Sequence, residues 1–97
     1  MSTVENGEAR ETVLIVNTRG LHARASAKFV NAVAALPDGV QVKVSKDGAE
    51  AEGGSILGLM MLGAAKGDTI EIAVSGDGGG TVLPQLVGLV KDGFGED

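Results

Sequence analysis

Val40-Gln41-Val42-Lys43-Val44-Ser45-Lys46-Asp47-Gly48-Ala49-Glu50-Ala51-Glu52 reads as a strand, a tight turn and a return strand. Val40, Val42 and Val44 alternate with Gln41, Lys43 and Ser45, which gives one apolar face and one wet face. Asp47-Gly48 supplies the residue pair that tolerates the positive φ a two-residue hairpin turn demands. Small alanines then alternate with glutamates through Glu52. A hairpin of this kind must cover its apolar face, so helices are expected on one side of an antiparallel sheet.

Working outward, Gly53-Gly54 breaks the return strand and Ser55 stands where a helix N-cap belongs. Ile56 to Gly63 is a short helix with unusually apolar character. Thr69 to Ser75 alternates again, with Ile70, Ile72 and Val74 on one side. Upstream, Thr12 to Asn17 reads as a strand, and from Ala23 the period changes. Ala25, Phe29, Ala32, Val33 and Leu36 form one helical face, stopped by Pro37-Asp38-Gly39. Burying Phe29, Val33 and Leu36 contributes about 1.5–3 kcal/mol each. Downstream of a glycine-rich link at 76–80, Thr81 is the expected N-cap of a last helix, with Pro84 in its first turn. Leu83, Leu86, Val87 and Val90 make its apolar stripe.

The order β-α-β-β-α-β-α predicts an α+β sandwich of two layers. Residues 1–10 are polar and aperiodic and read as a flexible N-terminal tail, residues 11–93 as the domain and 94–97 as a C-terminal tail. Ninety-seven residues make one core. No cysteine is present, so disulfides, thiolate nucleophiles and cysteine-ligated metals are excluded. One histidine and no cysteine also argue against zinc, and no cofactor or metal is expected. A net charge of −5 with no Trp or Tyr speaks against nucleic-acid binding. No apolar run reaches the roughly 20 residues of a membrane helix, and the N-terminal residues do not show the basic-then-apolar pattern expected of a signal peptide. A cytoplasmic address is expected.

The one histidine, His22, lies in Gly20-Leu21-His22-Ala23-Arg24, where strand pattern gives way to helix pattern. A helix start offers free N–H groups and a positive dipole end, which suit an anion. A neutral imidazole there can act as a nucleophile, and Arg24 can supply a fixed charge to the same oxygens. His22 as a polar cap or plain surface residue is the competing reading. Arg19, Arg24 and Lys28 form a local basic spot on an acidic chain. Ser55 is either a simple cap or a hydroxyl open to modification. The Ile56–Gly63 helix is apolar nearly all round, so it is buried or offers a docking patch. The glycine run at 76–80 lacks the lysine and Ser/Thr of a phosphate-binding loop and reads as turn chemistry.

Two stretches together resemble the HPr family, the histidine-containing phosphocarriers of the phosphoenolpyruvate-dependent phosphotransferase system, including its nitrogen-related branch. Gly20-Leu21-His22-Ala23-Arg24 is similar to the family's active-site motif. Ser55-Ile56-Leu57-Gly58-Leu59-Met60-Met61-Leu62-Gly63 is similar to its second signature, around the regulatory serine. The resemblance implies an open-faced β-sandwich, four antiparallel strands covered on one side by three helices. It implies a phosphoryl carrier rather than a stand-alone enzyme: His22 phosphorylated on Nδ1 by phospho-enzyme I, Arg24 neutralising the phosphoryl charge, and onward transfer to a IIA-domain histidine. It further implies a docking surface of Ala23, Lys28, Ile56, Leu57, Met60 and Met61, with Leu59 and Leu62 pointing inward. An HPr kinase acting on Ser55 and a monomeric state belong to the same expectation. Two departures stand out: Ala25 replaces the usual proline after the arginine, and Gly54 stands where many members carry a basic residue. The alternative is a regulatory binding module of the same fold, docking through its second helix while His22 only tunes affinity. An RNA-binding α+β domain shares the element order but wants basic charge and strand aromatics.

Overall fold

Alternating side chains decide which face of a sheet is covered. The computed structural model describes residues 2–5, 8–76 and 78–96, with side chains from residue 8 onward. Five strands, β1 (Ser2–Glu5), β2 (Glu8–Leu14), β3 (Gln41–Lys46), β4 (Ala49–Glu52) and β5 (Thr69–Ser75), form one antiparallel sheet ordered β1-β2-β5-β3-β4. Three helices, α1 (Ala23–Ala34), α2 (Ile56–Met61) and α3 (Gly79–Lys91), pack on the apolar face, and a 3-10 turn follows at Gly93–Gly95. This is the expected α+β open-faced sandwich, with β2, β5, β3 and β4 as its four antiparallel strands and β1 added at one edge.

Register places Val42 opposite Val74, Val44 opposite Ile72, and Val13 opposite Ile70, all buried. Phe29, Leu59, Leu83, Leu86, Val87 and Val90 close over them from the helices. Of the α1 stripe, Ala25 and Phe29 are fully buried, while Ala32, Val33 and Leu36 pack against the core rim. At the β3–β4 turn, Asp47 and Gly48 have φ of 50° and 84°, the two positive values that such a turn requires. No helix among the described residues is long and apolar enough to cross a membrane.

Several expected boundaries move, among them the first strand, expected at Thr12–Asn17 and found at Glu8–Leu14. Residues 1–10 are not simply a tail: Ser2–Glu5 pair with β2, and β2 already begins at Glu8. At the start of β2 polar side chains are suited to the uncovered face, where Arg10 pairs with Glu8 and Glu71. The last helix begins at Gly79, ahead of the expected cap Thr81. Gly78, at φ 84°, reverses the chain, and its carbonyl accepts the N–H groups of Thr81 and Val82, both at 2.9 Å. Pro84 therefore falls beyond the first turn, on the exposed side of α3.

The C-terminal tail expected at 94–97 is also corrected. Gly93, Phe94 and Gly95 all have positive φ, and the reversal sends Phe94 into the core with no exposed surface. The burial of one aromatic ring thereby fixes the chain end, a long-range effect that local polarity does not reveal. Residues 1, 6, 7 and 97 of the expected tails, and Asp77 of the glycine link, lie outside the described residues.

Gly20 is a position where the backbone leaves no choice. Its φ is 63°, and a Cβ there would collide with the Ala64 carbonyl oxygen. Gly20→Ala is expected to lower stability by about 2 kcal/mol or more. Gly54, which has open space around it, should tolerate alanine within about 0.5 kcal/mol. Urea unfolding of the two variants checks both, and equal stabilities would contradict the assigned constraint.

Candidate functional site

The chain leaves β2 and stays pinned to its neighbours: the Ile15 N–H donates to the Asp68 carbonyl at 2.8 Å, and the Ile15 carbonyl accepts from Gly67. Asn17, fully buried, donates from Nδ2 to the Gly20 carbonyl at 2.9 Å and closes the loop. The Leu21 N–H donates to the Ala64 carbonyl at 3.0 Å, and the Leu21 side chain is buried. Ser26, also buried, donates its hydroxyl to the Leu21 carbonyl. Leu21 is thus an anchor, and His22 emerges directly beyond it.

His22 is the N-cap of α1, with extended backbone and a side chain doing what Ser or Asp usually does there. Its Nδ1 accepts the Arg24 backbone N–H at 3.2 Å. Its Nε2 lies 2.8 and 3.0 Å from the two carboxylate oxygens of Glu96. An ionised carboxylate only accepts, so Nε2 carries the proton and Nδ1 is bare. Both contacts assign the same tautomer. Nδ1 therefore holds its lone pair at the start of a helix, where the backbone N–H groups and the dipole suit an anion. The His22 side chain keeps 17% exposure, so the ring is supported yet reachable.

The remaining expected residues divide clearly. Ala23, Arg24 and Arg19 are exposed near the ring. Lys28, also on α1, donates its ammonium to the Phe94 carbonyl at 2.6 Å and so ties the C-terminal turn down. Ser55 caps α2: its hydroxyl oxygen accepts the Gly58 N–H at 3.0 Å. Leu59 and Leu62 point inward, whereas Ile56, Leu57, Met60 and Met61 stay exposed, Leu57 at 68% and Met61 at 77%. Helices α1 and α2 contact each other, so this apolar patch and the histidine tip belong to one rigid corner. Among the described residues no cluster of His, Asp and Glu could hold a metal.

Glu96 and Asn17 were not recognised from the sequence. Asn17 Nδ2 also donates to Glu96 Oε1 at 3.1 Å, while Asn17 Oδ1 is buried without a partner among the described residues. The available signal was weak: a polar residue ending an apolar strand, and an acidic residue two beyond a phenylalanine. The hydrogen bond from His22 holds the Glu96 carboxyl below the ordinary glutamate value of 4.5; partial burial opposes this, and the Asn17 hydrogen bond and the charges of His22 and Lys28 reinforce it.

The chain is similar to known proteins over most of its length. Residues 9–92 match the family model described as "PTS HPr component phosphorylation site". The chain is 39% identical to phosphocarrier protein HPr of Neisseria meningitidis serogroup A over 87 residues, covering 90% of this chain and 96% of that one. It is 34% identical to phosphocarrier protein NPr of Escherichia coli K12 over 88 residues, covering 91% and 97%. Among solved structures, HPr-C-His from Thermoanaerobacter tengcongensis superposes with a TM-score of 0.83 at 34% identity, covering 91% of this chain and 97% of that one. The HPr of Bacillus anthracis gives 0.81 at 28% identity, covering 88% and 99%.

A depressed Glu96 carboxyl stabilises the fold above pH 4.5, and that contribution disappears as pH falls through the lowered native value. In a carboxyl 13C titration Glu96 is expected to change below 4.5 and to move back toward 4.5 in His22→Ala. A midpoint at or above 4.5 in the unaltered protein would contradict the pairing.

Proposed function

The chain belongs to the HPr family of phosphotransferase-system phosphocarriers, and from that premise we propose that His22 Nδ1 accepts a phosphoryl group from phospho-enzyme I and delivers it to the histidine of a IIA domain. The observation that carries the reading is the bare Nδ1 at the start of α1, with the Arg24 N–H already aimed at it. In the step, the Nδ1 lone pair attacks phosphorus while the donor's P–N bond breaks and its electron pair leaves with the donor nitrogen. The Arg24 N–H then turns from Nδ1 to a phosphoryl oxygen. Arg24, exposed and flexible, brings its guanidinium to the same charge. One arginine and a few helix N–H groups make a shallow trap, as a carrier needs, because tight binding of the phosphorylated state would slow release.

Docking is assigned to Ala23 and Lys28 of α1 with Ile56, Leu57, Met60 and Met61 of α2. The exposure of four large apolar side chains on a six-residue helix supports this, since such a patch normally meets a partner. Ala25 in place of proline leaves α1 intact from Ala23, consistent with alanine's helix preference. Ser55 sits at the rim of the patch, and a phosphoryl group there would add about two negative charges beside it. Its regulatory role is part of the proposal, as is a monomeric carrier acting in the cytoplasm without a resident metal or cofactor.

Incubation with phosphoenolpyruvate and enzyme I should label the protein with an acid-labile, base-stable phosphoryl group. His22→Ala is expected to abolish labelling, and label surviving in it would refute the assignment. Arg24→Ala should slow labelling by roughly 10–100-fold, the worth of a charge-assisted hydrogen bond, with an unchanged circular dichroism spectrum. Ser55→Asp preserves a good N-cap and should still fold, yet accept phosphate from enzyme I more slowly; a normal rate would remove Ser55 from the scheme.

A further inference from the structure

The C-terminal turn does more than end the chain. Phe94 is locked in the core, Lys28 holds its carbonyl at 2.6 Å, and the next carboxylate lands on His22 Nε2. Asn17, anchored to the loop through the Gly20 carbonyl, fixes one of the same carboxylate oxygens. Three separate segments therefore converge to place one negative charge on the ring nitrogen opposite the reacting one.

We propose that Glu96 is a positioning residue for His22: it covers Nε2, directs phosphorylation to Nδ1, and keeps the Nε2 proton on the ring throughout the phosphoryl cycle. The proposal rests on the carrier reading for its purpose, but its chemistry concerns only this chain. Before transfer the ring is neutral, with hydrogen on Nε2 and a lone pair on Nδ1. Once Nδ1 forms its bond to phosphorus, the retained Nε2 proton makes the ring cationic, and the Glu96 carboxylate opposes that new charge directly. Delivery runs in reverse: the P–N bond breaks, its electron pair returns to Nδ1, and the ring departs as a neutral imidazole. Without the proton, the same step would have to expel an imidazolate, a far poorer leaving group. Glu96 thereby keeps the phosphoryl group mobile, and the Lys28 ammonium on α1 lies near enough to offset part of its charge.

The test loads the intact protein with potassium phosphoramidate, a small chemical phosphoryl donor, so that no partner protein takes part. Nitrogen-15 spectra identify the phosphorylated nitrogen, and the lifetime of the adduct is followed at neutral pH. Wild type should carry phosphate on Nδ1 alone. Glu96→Ala, with Nε2 uncovered, should give adducts on both nitrogens. In Glu96→Gln the amide oxygen still accepts from Nε2–H, so the adduct should stay on Nδ1, but without the charge its lifetime should lengthen by roughly tenfold. Asp92→Asn, which removes an equal charge elsewhere on the surface, should match wild type in both measurements. An Nδ1-only adduct in Glu96→Ala, or a wild-type lifetime in Glu96→Gln, would overturn the proposal. Failure of enzyme I to label wild type would instead defeat the carrier reading, and the phosphoramidate result would still decide the role of Glu96.

Discussion

The Leu21 N–H bond to the Ala64 carbonyl, made possible by a glycine at position 20, is the constraint on which the site depends. The loop before α1 and the segment after α2 approach so closely that no side chain fits between them. The close approach welds the histidine tip to the apolar helix α2. Leu21 and Leu59 sink into the shared core while His22 and Leu57 face outward. The histidine ring and the exposed apolar patch of α2 are thus parts of one packed corner.

The ring itself is held by two hydrogen bonds of opposite sense. One nitrogen accepts from the helix start and the other donates to the chain end. Imidazole is useful here because its two nitrogens are chemically distinct once the environment has chosen a tautomer. A serine cap would satisfy the helix equally well, but it could not hold a proton on one side and a nucleophilic lone pair on the other. Capping and the proposed chemistry, which look like rival explanations of His22, would use the same contact.

Much of the fold was legible because it rests on local rules. The Asp47-Gly48 turn, the alternation from Thr69 to Ser75, the Ser55 cap and the start of α1 are each dictated by a few adjacent residues. The added strand at Ser2–Glu5 was not, since a polar strand at a sheet edge has little to distinguish it from a polar tail. The true start of α3 was obscured for a related reason: a glycine that turns the chain by its φ leaves no side-chain signature of where the helix begins. Arg24 and the α2 patch were singled out through two stretches that resemble family motifs, both inside the 9–92 match.

What the sequence determined alone is the apolar periodicity, the turn glycines and the placement of one histidine at a helix start, since each is a matter of near neighbours along the chain. Only the tertiary structure decided which nitrogen of that histidine is bare. The deciding pair, His22 and Glu96, is separated by 74 residues, with Asn17 holding one of the carboxylate oxygens. They meet because burial of Phe94 folds the C-terminus back over the loop, and no pattern of adjacent residues encodes a contact made by packing.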